Sequence, residues 1–462
     1  MARAAKPWLA PAATFCLALG LYLLTLQPDI SWANNGGDGG ELIAAAVTLG
    51  LPHPPGYPTY VWLGKLFSLL PLLPIARLFH LFSALLAAAS AATVTATMGN
   101  RNMPTAVLAG LLVATAPLVW GQAVIAEVYT LNLLVVSLWL YWWWRRPQAS
   151  GWLGFWAGLS LTTHLTSLLL VPLTFWRVPR AQWGRLGGAI LLGLTPYLTV
   201  PWLGRPESMI SWGEPQTISG FASLISGRLY QHQVLALPPA EWLLRLSAWW
   251  PILLAHGILL GWFLLPWVWR QTPPENRPPI LALSLAGLAY LGYAFLYDSA
   301  DAIVFALPAI PLLSIPLTTV WQRWPRAAWM LPLLAVTLNF SYPPIKGQSV
   351  EPNNLRAVTV PILDKLPADT LVTTPGDPTI FTLWYFQLAE KQRPDLIIVD
   401  QNLFGFDWYR ARLQRHYPEL RGLGVNDWPA FLAANETERA VCAIALASDQ
   451  PLFCPNLSDV AP

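Results

Sequence analysis

Apolar residues along this chain fall in blocks long enough to cross a hydrocarbon core, and the polar residues collect between them. The first block runs from Pro7 to Leu26, and others follow at about 77–97, 104–121, 129–144, 151–176, 186–203, 242–269, 279–297, 302–321 and 326–342, each ended by charge, Gly or Pro. Blocks of this length predict transmembrane helices. Two segments need a different reading. The run 58–73 mixes Tyr60, Trp62 and Phe67 with Lys65, the mixture expected of a helix lying in the headgroup zone from about Pro58 to Leu70. The block 151–176 is 26 residues long, enough for two short helices broken near Thr162, Thr163 and His164. Counted this way, the chain has eleven spans, with its N-terminus inside and its C-terminus outside.

The charges support that count. It places Arg3, Lys6, Arg101, Arg145, Arg146, Arg177, Arg180, Arg185, Arg270, Arg277, Arg323 and Arg326 on the cytoplasmic side, as the positive-inside rule requires. Making 58–73 a full span and 151–176 a single one would put Arg145 and Arg146 outside and Glu127 inside. The acidic residues sort the other way: Asp29, Asp38, Glu41, Glu127, Glu207, Glu214, Glu241, Asp298 and Asp301 fall on or near the outer face, and Glu275 alone lies inside. Insertion does not require that bias, so either a function on the outer face or longer outer loops accounts for it.

From about Pro343 the composition changes, and the last 120 residues hold 14 of the 24 acidic residues. The expected division is a membrane domain over 1–342 and a small soluble α/β domain over 343–462 on the outer face. There Thr370–Thr374 and Leu396–Val399 read as strands, and Thr379–Lys391 has the helical spacing of Phe381, Trp384, Tyr385 and Leu388. A βαβ unit with a parallel sheet is the simplest arrangement. The turn Pro375-Gly376-Asp377-Pro378 lacks the glycine pattern of a phosphate loop and reads as a helix start, with Asp377 near the N-cap.

Composition sets the solvent: 55% of residues are hydrophobic and 11% charged, so the main solvent is a lipid bilayer. A net charge of +3 says little about partners, since the side on which charges lie matters more than their sum, and no nucleic-acid partner is expected. Pro7–Leu26 follows Arg3 and Lys6 without a small-residue cleavage site and is read as a retained span. Cys16 lies in that span, whereas Cys442 and Cys454 lie where a disulfide is permitted, and their spacing leaves pairing open. His53, His80, His164, His232, His256 and His416 are scattered singly, so no zinc-type site is expected. Asp38 and Glu127 could share a divalent ion, but no second carboxylate lies close to Glu127 in sequence, and a metal is not supported.

The polar residues with the best claim to chemistry follow the first span directly, in Gly36–Tyr60, GGDGGELIAAAVTLGLPHPPGYPTY. Gly36, Gly37, Gly39 and Gly40 are expected to turn the backbone tightly and leave the Asp38 carboxylate unhindered. Pro52-His53-Pro54-Pro55-Gly56 cannot be helical throughout and should form a corner between two surface helices. A partly desolvated carboxylate at the bilayer surface suits a general base that takes a proton from a hydroxyl acceptor while a lipid-linked donor lies alongside. Transfer of a sugar from a polyprenyl phosphate fits that geometry. Its leaving phosphate needs cations, for which Lys65, Arg77, Arg205 and Arg228 are the candidates.

The segment Gly36–Pro71, with AEVYTLN at Ala126–Asn132, TTHLTSLLLVP at Thr162–Pro172, SWGEPQTISGFASLISGRLY at Ser211–Tyr230 and GDPTIFTLWYFQLAEKQRPDLIIVD at Gly376–Asp400, resembles a family of protein O-mannosyltransferase-like membrane proteins. That family lies within the GT-C fold glycosyltransferases. The resemblance covers nearly the whole chain and implies an all-α polytopic GT-C-like membrane domain carrying juxtamembrane helices in the first outer loop. It implies an acidic catalytic base in that loop, matched by Asp38, and a second acidic position in the next outer loop that holds acceptor or donor, matched by Glu127 beside Tyr129. Glu41 is assigned with Asp38 to the catalytic pair. His53 is expected to shape the site or share a proton relay, His164 to border a groove for a lipid tail, and Trp212 and Glu214 to form an acceptor wall. One departure is Thr163, where a second His or an Asn would be expected.

The function implied is an inverting glycosyltransferase that uses a polyprenyl-phosphate-linked hexose, with mannose the first candidate, on a protein Ser or Thr, a glycan or a lipid at the outer face. The compact chain favours a bacterial inner membrane. The alternative is a transporter or lipid-handling protein using the same carboxylates, although no inverted repeat of interrupted helices is evident.

Overall fold

In a computed structural model the protein is described over residues 8–99, 103–255, 265–323, 329–341 and 355–455. The predicted features at Arg3, Lys6, Arg101, His256 and Arg326 and the domain boundary near Pro343 lie outside the described residues.

The membrane part is a bundle of helices packed through small side chains. Helices α1 (Leu9–Thr25), α2 (Gly39–Thr48), α3 (Pro58–Ser68) and α4 (Ile75–Met98) follow in order, and α5 (Met103–Thr115) leads into α6 (Pro117–Ala123). Ala84, Ala87, Ala88 and Ala91 line the buried face of α4, which packs against α1, α5 and α7 (Tyr129–Arg145). Small residues let the backbones approach, so that van der Waals contact and short polar bridges hold helices together without a hydrophobic driving force. One such bridge is the Thr95 hydroxyl donating to Thr14 Oγ1 at 3.0 Å. The pair α8 (Ser150–Leu161) and α10 (Trp183–Gly193) is closer still: a Cβ on Gly158 would stand 2.1 Å from the Ile190 carbonyl oxygen. Large apolar side chains such as Leu24, Leu191, Leu198 and Leu243 point outward and exposed. In a membrane protein that surface is the one lipid covers.

Both departures from a simple span pattern are present. Residues 58–73 contain the 11-residue helix α3 followed by turns. The block 151–176 breaks after α8 at Thr162–His164, continues as 3-10 turns over Leu165–Leu170, and ends in α9 (Val171–Arg177). Eleven full-length spans are not what the described helices supply. Three, Ile75–Met98, Arg180–Leu203 and Pro274–Leu296, are long and apolar enough to cross alone, or four if α5 and α6, bent by 64°, form one span. Short lengths contribute to the difference, since α1 and α7 have 17 residues each and Ala309–Arg323 has 15.

Beyond Leu355 a four-stranded sheet has the order β2-β1-β3-β4, formed by β1 (Leu371–Thr374), β2 (Ile397–Asp400), β3 (Val441–Ile444) and β4 (Leu452–Phe453). The first three run parallel and β4 antiparallel, with Leu371 opposite both Ile397 and Val441. β1 and β2 are buried at every position, which is why they read as apolar runs without alternation. Helix α11 (Ala309–Arg323) belongs to the membrane part, and α12 (Asp377–Trp384) is the crossover between β1 and β2, completing the expected βαβ unit. It continues as a π-helical turn at Tyr385–Ala389. Cys442 and Cys454 are disulfide-bonded, while Cys16 is free and exposed.

Candidate active site

The site is built where α2 begins. Asp38 is the N-cap of α2, yet its carboxylate makes no capping hydrogen bond and instead lines a cavity of about 680 Å³. The glycines beside it serve a different purpose from the expected one. None of Gly36, Gly37, Gly39 and Gly40 has a positive φ, and the left-handed residues of this loop are Asn34 and Asn35. What glycine permits here is close approach. A Cβ on Gly40 would sit 2.3 Å from the Phe381 carbonyl oxygen, and one on Gly39 would sit 2.9 Å from that of Ala126. The start of α2 therefore lies backbone to backbone against α12 and against the segment before α7.

Glu41, one turn into α2, is fully buried. Its carboxylate accepts from His53 Nδ1 at 2.5 Å, from the His53 backbone N–H at 3.2 Å and from Trp212 Nε1 at 2.5 Å. A buried carboxylate needs such donors, and these also fix the imidazole. The far side of the ring, Nε2, stands 3.7 Å from Asp38 Oδ2. Trp212 reaches Glu41 because the loop before it is clipped to the end of α2, where the Leu51 N–H donates to the Ile210 carbonyl at 2.8 Å. Gly56 and Tyr57, both at positive φ, turn the His53–Pro55 corner into α3. Around His53 stand Tyr57, Trp212, Tyr230 and Phe381, with ring centroids 5.2 to 6.3 Å away.

Asp38, His53, Tyr129 and His164, predicted from distant parts of the sequence, line this one cavity. Asp301, Asp377, Tyr230 and Tyr297 also line it, and sequence reasoning did not single them out as site residues. Asp377 carried one signal, its place after a strand at a helix start; Asp301 carried only its outer-face position. One wall is apolar, with Leu165, Leu168, Leu169, Val234 and Phe305, and Leu168 is exposed on the surface of the molecule. His164 lies at the root of that wall as the N-cap of the 3-10 turns, its Nδ1 accepting from the Thr166 N–H at 3.3 Å, so it both caps a break and faces the cavity.

Other predicted residues lie elsewhere. Glu127 is buried behind the lining, accepting from the Val128 N–H at 3.3 Å, and its other oxygen has no hydrogen-bond partner among the described residues. Glu214 is exposed, and the part of it that bonds is its carbonyl, which accepts from Thr217. None of the expected cations lines the cavity. Lys65 Nζ donates to the Val47 carbonyl at 2.6 Å, Arg205 donates to the Leu49 carbonyl at 3.0 Å and covers the Trp202 ring, and Arg77 and Arg228 are exposed. Each is long enough to find a backbone carbonyl or water first.

The electrostatics follow from this crowding. Burial pushes the Asp38 carboxyl up to about 6, opposed by His53 and aided by Asp301 and Glu41. Burial, with Asp38 and Glu41, takes Asp377 up to about 7. For His53 burial disfavours the charged ring, but Asp38 and Glu41 outweigh it and hold the imidazole at about 10. Burial, followed by the Asp38 charge, lifts Glu127 well above the usual carboxylate range. The groups separate into a carboxylate able to accept a proton near neutrality and an imidazole that keeps its own. Among the described residues no cluster of three or more His, Cys, Asp or Glu side chains is arranged to hold a metal ion.

Residues 38–185 match the family described as Protein O-mannosyl-transferase TMEM260 N-terminal domain, and residues 355–428 match TMEM260-associated domain 2. The Protein O-mannosyl-transferase TMEM260 of Mus musculus is 26% identical over 492 aligned positions, covering 90% of this chain and 67% of that protein. The counterpart in Dictyostelium discoideum is 27% identical over 237, covering 44% of this chain and 28% of its own length. In fold the chain is similar to ArnT from Cupriavidus metallidurans, whose crystal structure is bound to undecaprenyl phosphate, with a TM-score of 0.61, 15% identity and coverage of 94% and 92% of the two chains.

Proposed function

We propose that this chain, which carries two domains of the TMEM260 protein O-mannosyltransferase family on a GT-C-like fold, transfers a hexose from a polyprenyl-phosphate donor to a hydroxyl acceptor. Mannose and a protein Ser or Thr are the first candidates, because the relatives are named for that transfer. The carrying observation is a single cavity that places Asp38 beside an apolar wall opening at Leu168. A lipid-linked sugar needs both surfaces at once, one for its prenyl chain and one for its reacting carbon.

In this reading the prenyl tail lies along Leu165, Leu168 and Leu169, and the acceptor enters on the side of Tyr230 and Asp377. The acceptor oxygen forms a bond to the anomeric carbon as the bond from that carbon to the phosphate oxygen breaks. The electron pair leaves with the lipid phosphate, the hydroxyl proton passes to Asp38, and the anomeric configuration inverts. Glu41 lies behind His53 and acts on the site through it, so Asp38 alone is the base. Glu127 stands behind the lining and supports it. The topology proposed with this is the charge-sorted one, with eleven crossings, the cavity on the periplasmic side of a bacterial inner membrane, and the unit beyond Pro343 on that same side.

The test is mannosyl transfer from a polyprenyl phosphate donor to a Ser/Thr peptide by protein in lipid nanodiscs. Asp38→Asn should slow transfer by about 10²–10⁴-fold, the usual worth of a general base. Undiminished transfer by Asp38→Asn would remove Asp38 from that role. Solute uptake into proteoliposomes that contain no lipid donor would favour a transporter instead.

A further inference from the structure

We propose that the cation receiving the donor's phosphate in this cavity is the imidazolium of His53, held in place by the buried Glu41 carboxylate. The proposal rests on the lipid-phosphate reading above and names the group that binds it. A phosphate leaving a carbon in a nearly water-free site requires a positive partner. Among the described residues no arginine or lysine lines the cavity, and Arg245, which reaches the backbone of the lining residues Tyr297 and Ser299, is occupied by their carbonyls and that of Phe295. His53 lines the cavity, with Nδ1 engaged by Glu41 and Nε2 standing 3.7 Å from Asp38 Oδ2.

That separation is too long for a hydrogen bond and leaves Nε2–H free to donate to a phosphate oxygen. His53 is 8% exposed among Tyr57, Trp212, Tyr230 and Phe381, and burial of this kind raises the worth of a charge-assisted bond. Glu41 adds no uncompensated charge, because it already accepts from three donors. In the transfer step Nε2–H bonds the phosphate oxygen that takes up the electron pair, and the acceptor's proton goes to Asp38, so each group has one task. The ionisable groups that bear on His53 are Asp38, Glu41 and Asp377, with Tyr57, Tyr230, Glu127 and His164 close by. The carboxylates favour the protonated ring.

The experiment is binding of undecaprenyl phosphate, and of uncharged undecaprenol as control, to the full chain in nanodiscs across pH 6–11. For His53→Gln, phosphate-lipid affinity should fall on the order of tenfold or more, with undecaprenol affinity unchanged, and His53→Lys should restore most of it. Wild-type affinity should fall as pH rises through about 10, a limb absent from His53→Gln. Glu41→Gln, a change at a positioning residue, should move that limb to lower pH, which a merely structural role would not do. Wild-type affinity in His53→Gln with intact undecaprenol binding would overturn the proposal and leave the donor reading standing. A wild-type protein that binds undecaprenol and undecaprenyl phosphate equally would overturn the donor reading itself.

Discussion

At the scale of single residues, two carboxylates three positions apart have opposite environments. Asp38 is half-buried and bare of capping bonds, whereas Glu41 is fully buried and saturated with donors. Their spacing in a helix makes them neighbours, but only the arrival of His53 and Trp212 decides which one is left open to the cavity. A pH profile follows. With Asp38 as the proposed base the reaction needs it ionised, so kcat/KM should rise as pH increases through about 6, the value to which burial lifts that group. Asp38→Glu should move the acid limb, and a limb unchanged in that variant would mean another group is titrating. The N-glycosylation motif Asn435-Glu436-Thr437 is closed at this scale too, since the Asn435 amide is fully buried and bonded to the carbonyls of Arg421 and Phe431.

At the scale of elements, the contact between α2 and α12 carries the site, because it sets Asp38 and Asp377 on one cavity. It depends on Gly40, whose missing side chain lets the helix meet the Phe381 carbonyl. Gly40→Ala should therefore lower stability by about 1–3 kcal/mol, the usual cost of overpacking. The associated loss of transfer should exceed that of an alanine at Gly20, where a Cβ would meet nothing. Thermal unfolding in detergent and the transfer assay check both parts. The short helix α3 and the break at His164 were legible as elements because their polar and aromatic residues interrupt otherwise apolar blocks. The reason for the glycines was not legible, since a glycine needed for close approach and one needed for a turn look alike until the neighbour is seen.

At the scale of the whole molecule, the unit beyond Leu355 forms part of the cavity wall. Arg356 bridges Asp29, just after α1, and Glu390, at the end of the π-helical turn that follows α12, while Trp408 packs on Trp212 with centroids 5.8 Å apart. Arg356→Ala should loosen this junction. The ion pairs are partly exposed and screened, so a stability loss of about 1 kcal/mol is expected, smaller at 1 M salt than at 0.1 M. Transfer should fall with it, since Asp377 and Phe381 reach the cavity from that unit. Full activity at low salt would show that the unit's docking is independent of this bridge.

The sequence by itself determined the solvent, the βαβ unit and the candidacy of Asp38, because each depends on local composition or on spacing along one element. Hydropathy and period are properties of neighbours in the chain. Tertiary structure alone decided which residues share the cavity. It brought Asp301 and Asp377 to Asp38 from more than 260 positions away, turned Lys65, Arg77, Arg205 and Arg228 elsewhere, and paired Glu41 with His53 and Trp212. A long cation can satisfy itself at many places, and a buried carboxylate must find donors wherever the fold supplies them. Those outcomes are fixed by packing in three dimensions, which no pattern along the chain records.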